Sequence, residues 1–314
     1  MRLGFIGLGN LGAHLAGSLL RAGFALTVHD LERERAAGLL AAGAAWAGTA
    51  DDVARAADSV ITCLPTPAAV AAMVEGPDGV LAGLRPGGCW IDMSTNDPAE
   101  VKRLGRLAES RGIGCLEAPV TGGVHRAATG QITVLVGGEE ALYEAHLPAF
   151  RAMGGEVLRI GPLGSASAIK VITNMLAFVH LVAVGEALML AKRGGLDLGT
   201  AFAAIKASSG NSFVHETESQ VILAGSYDIG FTMDLACKDL GLARELGRAC
   251  DVPLELAALV ERTFQRARAR YGGDAWSPMV VRLLEDALGT DLRAPGFPRS
   301  LQPTDAVDAG YRRP

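Results

Sequence analysis

The sequence lacks paired cysteines, clustered metal ligands and an excess of basic residues. Its five cysteines are scattered without a C-x-x-C pair, so we interpret them as reduced residues and expect a cytoplasmic protein. The six histidines form no H-x-x-x-H or mixed Cys/His cluster, which predicts no metal site. A formal net charge of −5 gives no basic field, and we therefore expect neither a nucleic acid nor an anionic membrane as partner.

Long uninterrupted apolar runs are also absent. The most apolar stretch, 171–191, is broken by Thr173, Asn174 and two further polar residues, which is typical of a buried helix and not of a membrane span. The first 22 residues do not read as a secretory signal, because a glycine-spaced turn directly follows a strand-like run. With 314 residues, 49% of them hydrophobic and 20% charged, the chain is expected to form one large or two ordinary globular domains.

A G-x-G-x-x-G turn near the start of the chain is the most specific local motif. The strand-like run 2–6 precedes it, a helix-like run follows it, and a second strand-like run, 24–29, ends in Asp30. This strand–turn–helix–strand frame closed by an acid is typical of a dinucleotide-binding βαβ unit, and an ordinary glycine-rich turn is the alternative. The predicted cofactor-binding residues of the turn are Gly7, Leu8, Gly9, Asn10, Leu11 and Gly12.

Asp30 bears on which dinucleotide binds. An acid at the end of the second strand accepts hydrogen bonds from ribose hydroxyls and repels a 2′-phosphate, which favours NAD over NADP. Arg33 and Arg35 lie close enough in sequence to serve a 2′-phosphate, so NADP stays open as the alternative.

The order of the predicted elements gives the fold class. Strand-length apolar runs alternate with helical stretches over 1–162, which predicts an α/β Rossmann-type, doubly wound parallel sheet. Helical periodicity without a convincing strand continues over 163–288, so we expect a second, all-α domain that begins with a long helix. The proline-containing tail, 289–314, is expected to be an extended arm or disordered, and not part of the core.

Two polar pairs interrupt otherwise apolar helical stretches. Lys170 and Asn174 are spaced i,i+4 and share one helix face, where a desolvated lysine could act as an acid or base. Lys238 and Asp239 straddle the apolar stripe of the predicted helix 233–249. The alternatives are a lysine at an exposed helix start for the first pair and a snorkelling lysine for the second.

A loop of small residues follows one of the predicted strands. After the acid at position 117, the segment 118–123 contains Thr121, Gly122 and Gly123, whose backbone N–H groups could hold a carboxylate. An ordinary turn is the alternative interpretation.

Taken together, these motifs resemble the β-hydroxyacid dehydrogenases of the 3-hydroxyisobutyrate dehydrogenase group, over residues 2 to about 285. The matching stretches are 7–12, 64–65, 92–95, 118–123, 161–174 and 231–243. The resemblance implies that Lys170 is the catalytic lysine with Asn174 as its substrate-holding neighbour. It also implies that Thr121, Gly122 and Gly123 hold the substrate carboxylate. Four further residues are implied to line the cofactor and substrate sites: Leu64, Pro65, Thr95 and Lys238.

The chain departs from the family pattern near the carboxylate loop. Thr121 stands where the family usually has serine, Thr173 where it has asparagine, and His125 and Arg126 where it has small residues. A guanidinium beside a carboxylate-binding loop suggests that Arg126 binds a second anionic group of the substrate. The alternative is an arginine that points to solvent or pairs with a neighbouring acid.

These observations predict an NAD(P)-dependent oxidoreductase that interconverts a small 3-hydroxy acid and its 3-oxo acid, with Lys170 as general acid and base. The partners are expected to be a small molecule and further copies of the chain, as a homodimer or homotetramer. An imine reductase of the same fold is one alternative, although such relatives generally lack a lysine at position 170. A catalytically silent NAD-binding regulator is the other, and a 6-phosphogluconate-type enzyme would need a longer helical domain.

Overall fold

The chain divides by packing into two compact units, one ending at Val171 and one beginning at Ile172. The computed structural model describes residues 1–301. The first unit is a sheet flanked by helices and the second is helical, which confirms the predicted fold class. The predicted boundary near residue 162 stays a prediction, because the division by packing falls inside a helix that begins at Ser165.

Within the described residues, nine strands form one sheet in the first unit. Their bounds are β1 Arg2–Ile6, β2 Ala25–His29, β3 Ala45–Trp46, β4 Ser59–Thr62, β5 Cys89–Asp92, β6 Gly114–Glu117, β7 Val120–Thr121, β8 Ile132–Gly138 and β9 Gly154–Gly161. The order is β3-β2-β1-β4-β5-β6-β8-β7, and β9 pairs with β8. All neighbours are parallel except β8 with β6 and β8 with β7, so the predicted mostly parallel sheet is confirmed.

The strand order reverses direction at β1. Strands β2 and β3 extend the sheet on one side of β1, and β4, β5 and β6 extend it on the other. In open α/β sheets, ligands bind beyond the carboxyl ends of the strands at such a switch point. The segments that follow β1 and β4 therefore mark the expected ligand-binding edge.

Helices cover both faces of the sheet. They are α1 Gly12–Arg21, α2 Ala37–Ala41, α3 Ala50–Ala56, α4 Pro67–Glu75, α5 Val80–Gly83, α6 Pro98–Glu109, α7 Val124–Ala128 and α8 Glu140–Met153. Asp97 caps α6 by accepting from the backbone of Ala99 and Glu100. One buried cluster contains Phe5 and Phe150, and a second contains Val60 and Trp90. The doubly wound layering thus gives each face its own apolar core.

The second unit is built from helices around one apolar core. They are α10 Leu198–Lys206, α11 Phe213–Ala224, α12 Met233–Ala249, α13 Glu255–Tyr271 and α14 Arg282–Leu288. The predicted bounds of α12 are reproduced. The ring of Phe178 packs edge-on against Phe264 at a centroid distance of 5.2 Å, and both lie in this core.

The long helix α9, Ser165–Arg193, begins in the first unit and continues into the second. In the described part of the chain it is the one helix long and apolar enough to cross a membrane, by a test that core helices of soluble proteins also pass. Within a single chain, 33% of its most apolar window is buried, so the predicted burial of this helix is only partial. Leu176 and Leu190 are 48% and 76% exposed, respectively.

The described part of the tail packs on the second unit, contrary to the prediction for 289–314. Leu292 is fully buried in the helical core, and its backbone N–H donates to Glu285. The Arg293 guanidinium donates to Glu285 and to the Tyr227 hydroxyl. Proline content pointed to an extended arm, but these contacts anchor the residues just after α14. The rest of that prediction, 302–314, lies outside the described residues.

One buried carboxyl in α11 is poorly compensated. The Glu218 Oε2 atom has no hydrogen-bond partner among residues 1–301. Burial raises the pKa of Glu218 to about 8, because the charged form loses its hydration. This helix therefore contains a group whose ionisation opposes folding.

Candidate active site

The glycine-rich turn follows β1 and enters α1. Gly7 has φ +96°, and a side chain there would meet the Cys63 carbonyl oxygen at 2.3 Å. A side chain on Gly12 would stand 1.9 Å from the Gly7 carbonyl oxygen. Both positions therefore require glycine for the turn and for close helix–strand packing.

Gly9 is different, because the chain itself leaves space there. The nearest atom to a Cβ built on Gly9 is Arg35 Nη1 at 3.6 Å, which is an ordinary contact. The fold therefore does not require a glycine at this position, whereas close approach of a ligand phosphate does. At the start of α1, Leu11 offers no side-chain acceptor to the first N–H groups, which suits an anion. The turn fits a dinucleotide pyrophosphate.

Asp30, at the carboxyl end of β2, faces this turn. Its Oδ2 accepts from the Leu8 backbone N–H at 2.6 Å, and its Oδ1 accepts from the Glu32 backbone N–H at 3.0 Å. Arg35 lies beside it, with Nε 3.9 Å from Oδ1 and Nη2 donating to Glu32 at 2.9 Å. Asp30 thus fixes the turn in this structure, and its predicted bond to a ribose stays a prediction.

The loops after β4 and β5 are tied together at the same edge of the sheet. The Ser94 hydroxyl accepts from the Leu64 backbone N–H at 2.9 Å. Buried Asp92 accepts from the hydroxyl of Thr62 and from the amide of Asn96. Burial raises the pKa of Asp92, and these bonds oppose that rise.

This network places the backbone on which two more predicted cofactor residues lie. Thr95 follows Ser94 and is half-buried, and Pro65 follows Leu64 and is exposed. Their predicted cofactor contacts stay predictions.

The predicted carboxylate loop follows the short strand β7. Thr121 pairs with Thr133 of β8, and the chain then turns through Gly122 and Gly123 with φ +121° and +87° before α7 begins. Two successive positive φ values are strained for any residue other than glycine. Strand pairing therefore fixes the start of the loop, and the two glycines permit the turn that follows it.

Lys170 is buried at 8% exposure in the first two turns of α9, and Glu117 fixes the start of that helix. The fully buried Glu117 carboxylate accepts from the backbone N–H groups of Gly164 (2.6 Å), Ala166 (2.8 Å) and Ser167 (3.0 Å). It also accepts from the Ser167 hydroxyl. Burial raises the pKa of Glu117, while the four donated bonds oppose the rise. The end of β6 thereby anchors the turn that precedes Lys170.

A second polar group is formed within the helical unit. The Asn174 amide donates to Asp239 Oδ2 at 2.6 Å, and the Lys238 ammonium lies 2.9 Å from Asp239 Oδ1. Asp239 is fully buried, whereas the side chain of Lys238 is 18% exposed. Asp239 therefore contacts two residues that the sequence indicated separately, by a hydrogen bond from Asn174 and an ion pair with Lys238.

Glu117 and Asp239 were not among the predicted site residues. The sequence contained a signal for each: Glu117 is an acid at the end of a strand-like run, directly before the loop of small residues. Asp239 lies beside the apolar stripe of α12, where an unpaired carboxylate would be costly. Neither signal predicts which groups donate hydrogen bonds to Glu117 or Asp239.

A glycine turn at a switch point, fitted to a pyrophosphate and faced by an acid, defines the first unit as a Rossmann-type dinucleotide-binding fold. Residues 2–161 match the model of the NAD-binding domain of 6-phosphogluconate dehydrogenase. Residues 164–284 match that of the NAD-binding domain of NADP-dependent 3-hydroxyisobutyrate dehydrogenase. The chain belongs to the β-hydroxyacid dehydrogenase family, as the sequence motifs predicted.

Relatives support this assignment over most of the chain. The chain is 33% identical over 293 residues to 2-(hydroxymethyl)glutarate dehydrogenase from Eubacterium barkeri, covering 93% of this chain and 97% of that protein. The structure of 3-hydroxyisobutyrate dehydrogenase from Mycobacterium tuberculosis, solved with L-serine, is similar with a TM-score of 0.82 and 32% identity. It covers 90% of this chain and 99% of that one.

A more distant structure bears on the alternative activity. An imine reductase from Myxococcus stipitatus has a TM-score of 0.63 at 19% identity, covering 90% of this chain and all of that one. At this distance the likeness concerns the fold alone. The protein is an NAD(P)-dependent oxidoreductase of the hydroxyacid dehydrogenase type, acting on a CH–OH group.

Proposed function

We propose that Lys170 is the general acid and base in the interconversion of a small 3-hydroxy acid and its 3-oxo acid. The observation that carries this proposal is that Lys170, a residue only 8% exposed, lies in the first two turns of a helix whose start Glu117 fixes. Lysine is rarely buried in proteins, and a fixed helix start restricts where its amine can lie.

The residues of the proposed active site have distinct roles. Lys170 takes the proton of the substrate hydroxyl during oxidation and returns it during reduction. The loop Thr121–Gly123 binds the substrate carboxylate, and Asn174 and Lys238, both joined to Asp239, orient the substrate. When bound, the nicotinamide ring accepts hydride in oxidation and donates it in reduction.

For the cofactor, we propose that the turn Gly7–Gly12 holds the pyrophosphate and that Leu64, Pro65 and Thr95 contact the rest of the dinucleotide. Asp30 favours NAD, since its carboxylate beside the turn repels a 2′-phosphate. Arg35 lies within 3.9 Å of Asp30 and moderates that preference.

The test is hydride transfer followed at 340 nm, with NAD and NADP in parallel, on a panel of small 3-hydroxy acids including serine and 3-hydroxyisobutyrate. Lys170→Ala should retain NAD affinity and lose turnover by about 10²- to 10⁴-fold, as for removal of a general base. Lys192→Ala, near the end of the same helix, is the matched control and should remain active.

The outcomes separate the candidate functions. Substantial turnover by Lys170→Ala would refute the proposed mechanism. NAD binding without turnover of any acid by the native protein would favour a regulator, and imine reduction that survives Lys170→Ala would favour the imine reductase activity.

We also propose that the protein is a cytoplasmic homodimer or homotetramer. The exposed apolar residues Leu176 and Leu190 on α9 support an interface between copies, because such faces are usually covered. The scattered free cysteines support a reducing compartment.

A further inference from the structure

Two nitrogen-bearing side chains lie against the glycines of the carboxylate loop. A Cβ built on Gly122 would stand 3.0 Å from Arg126 Cδ and 3.8 Å from its Nη1. A Cβ built on Gly123 would stand 3.0 Å from His125 Nδ1. Both side chains therefore fold back from α7 onto the loop, within the first unit.

The position of Arg126 relative to the loop matters more than its charge alone. Arg126 is half-buried, and its Cδ fills the space where a side chain at Gly122 would begin. Gly122 and Gly123 both have positive φ, so any other residue at either position would be strained. Glycine at position 122 also leaves room for the Arg126 side chain. The backbone of Arg126 is fixed too, since its carbonyl accepts from Gln131 at 2.8 Å and from Thr129.

The loop and Arg126 offer two different kinds of anion-binding group. Backbone N–H groups in a glycine turn supply neutral donors that bind one carboxylate. An arginine adds a permanent charge and a planar fork that matches a carboxylate bidentately. Arg126 occupies the space that a side chain at Gly122 would take, with Nη1 3.8 Å from that Cβ position, which brings a guanidinium next to the loop.

We propose that Arg126 binds the second carboxylate of a short dicarboxylic 3-hydroxy acid, while the loop Thr121–Gly123 binds the first. His125, on the neighbouring glycine, lines the same subsite. This inference rests on the proposed role of the loop and names the substrate class for that site.

The experiment measures binding of three unreactive acids by calorimetry in the presence of NAD. The probes are 2-methylglutarate, its amide 4-carbamoyl-2-methylbutanoate, and isobutyrate, so that the first two differ only in the second charge. The native protein should bind 2-methylglutarate about 10- to 100-fold more tightly than the amide, as expected for a hydrogen bond to a charged group. Arg126→Gln should abolish that preference and leave the affinity for isobutyrate unchanged.

Two further variants make the result specific. Arg151→Gln, an exposed arginine on α8, should keep the preference of the native protein. Arg126→Lys retains the charge without the fork and should keep part of the preference, which guards against a misfolded Gln variant.

Equal binding of the two isosteres by the native protein, including no binding of either, would overturn the inference. So would a preference that survives Arg126→Gln, or an equal loss for all three acids. None of these outcomes depends on turnover, so failure here is distinct from failure of the Lys170 assay.

Discussion

Removing the Glu117 carboxylate should loosen the helix that carries Lys170. Glu117 ends β6 and accepts three backbone N–H bonds from the start of α9, at Gly164, Ala166 and Ser167. Glu117→Ala leaves these three donors without that acceptor, and Glu117→Gln keeps one carbonyl oxygen while turning an N–H₂ group toward donors.

The expected loss of stability follows from the number of backbone N–H groups left without an acceptor. A buried donor that loses its partner costs about 1–3 kcal/mol, and an anion at a helix start contributes a further ~0.3–2 kcal/mol. Partial relaxation reduces the sum, so Glu117→Ala should lower the free energy of unfolding by about 3–6 kcal/mol. This is a large share of a typical 5–15 kcal/mol. Glu117→Gln should lose about 1–3 kcal/mol.

The assay combines denaturant unfolding with turnover and NAD affinity. Because the first turn of α9 directs Lys170, Glu117→Gln should reduce kcat about tenfold or more while NAD affinity stays unchanged. Gly137→Ala is a second route to the same perturbation, since its Cβ would stand 2.2 Å from Glu117 Oε1. It should destabilise the protein without altering any residue of α9.

The reasoning fails if Glu117→Ala lowers the free energy of unfolding by less than about 1 kcal/mol and keeps the native kcat. It also fails if NAD affinity falls as steeply as turnover. The carboxylate would then act on the cofactor-binding turn and not on the helix that carries Lys170.

Two other predictions concern pH and assembly. The pKa of Glu218 is about 8 in the fold and near 4.5 when unfolded, so its ionisation should destabilise the native protein as pH rises between these values. In chemical unfolding, the free energy of unfolding of the native protein should fall by at most a few kcal/mol between about pH 5 and 9. Glu218→Gln should remove this pH dependence, and an equal dependence in both proteins would contradict the prediction. For assembly, light scattering should give a multiple of the chain mass, and Leu176→Glu should reduce it; a monomeric native protein would refute the interface.

Local sequence predicted the elements whose signals are local. The predicted runs 2–6 and 233–249 coincide with β1 and α12, because apolar periodicity and flanking turn residues mark both. The short elements β3 and α7 were missed, because two to five residues carry too little periodicity to stand out. The tail after α14 was misjudged because proline content does not reveal that Leu292 has a core to fill.

The sequence by itself determined the class of fold, the dinucleotide turn, and which lysines and glycines to suspect. These features depend on spacing along one strand, turn or helix, where the backbone geometry is known in advance. Only the tertiary structure decided the long-range partners: Glu117 at the start of α9, and Asp239 as the acceptor of the Asn174 amide. Glu117 reaches its helix across 50 residues of chain and Asn174 reaches Asp239 across 65, and at such separations no local pattern selects one contact over another.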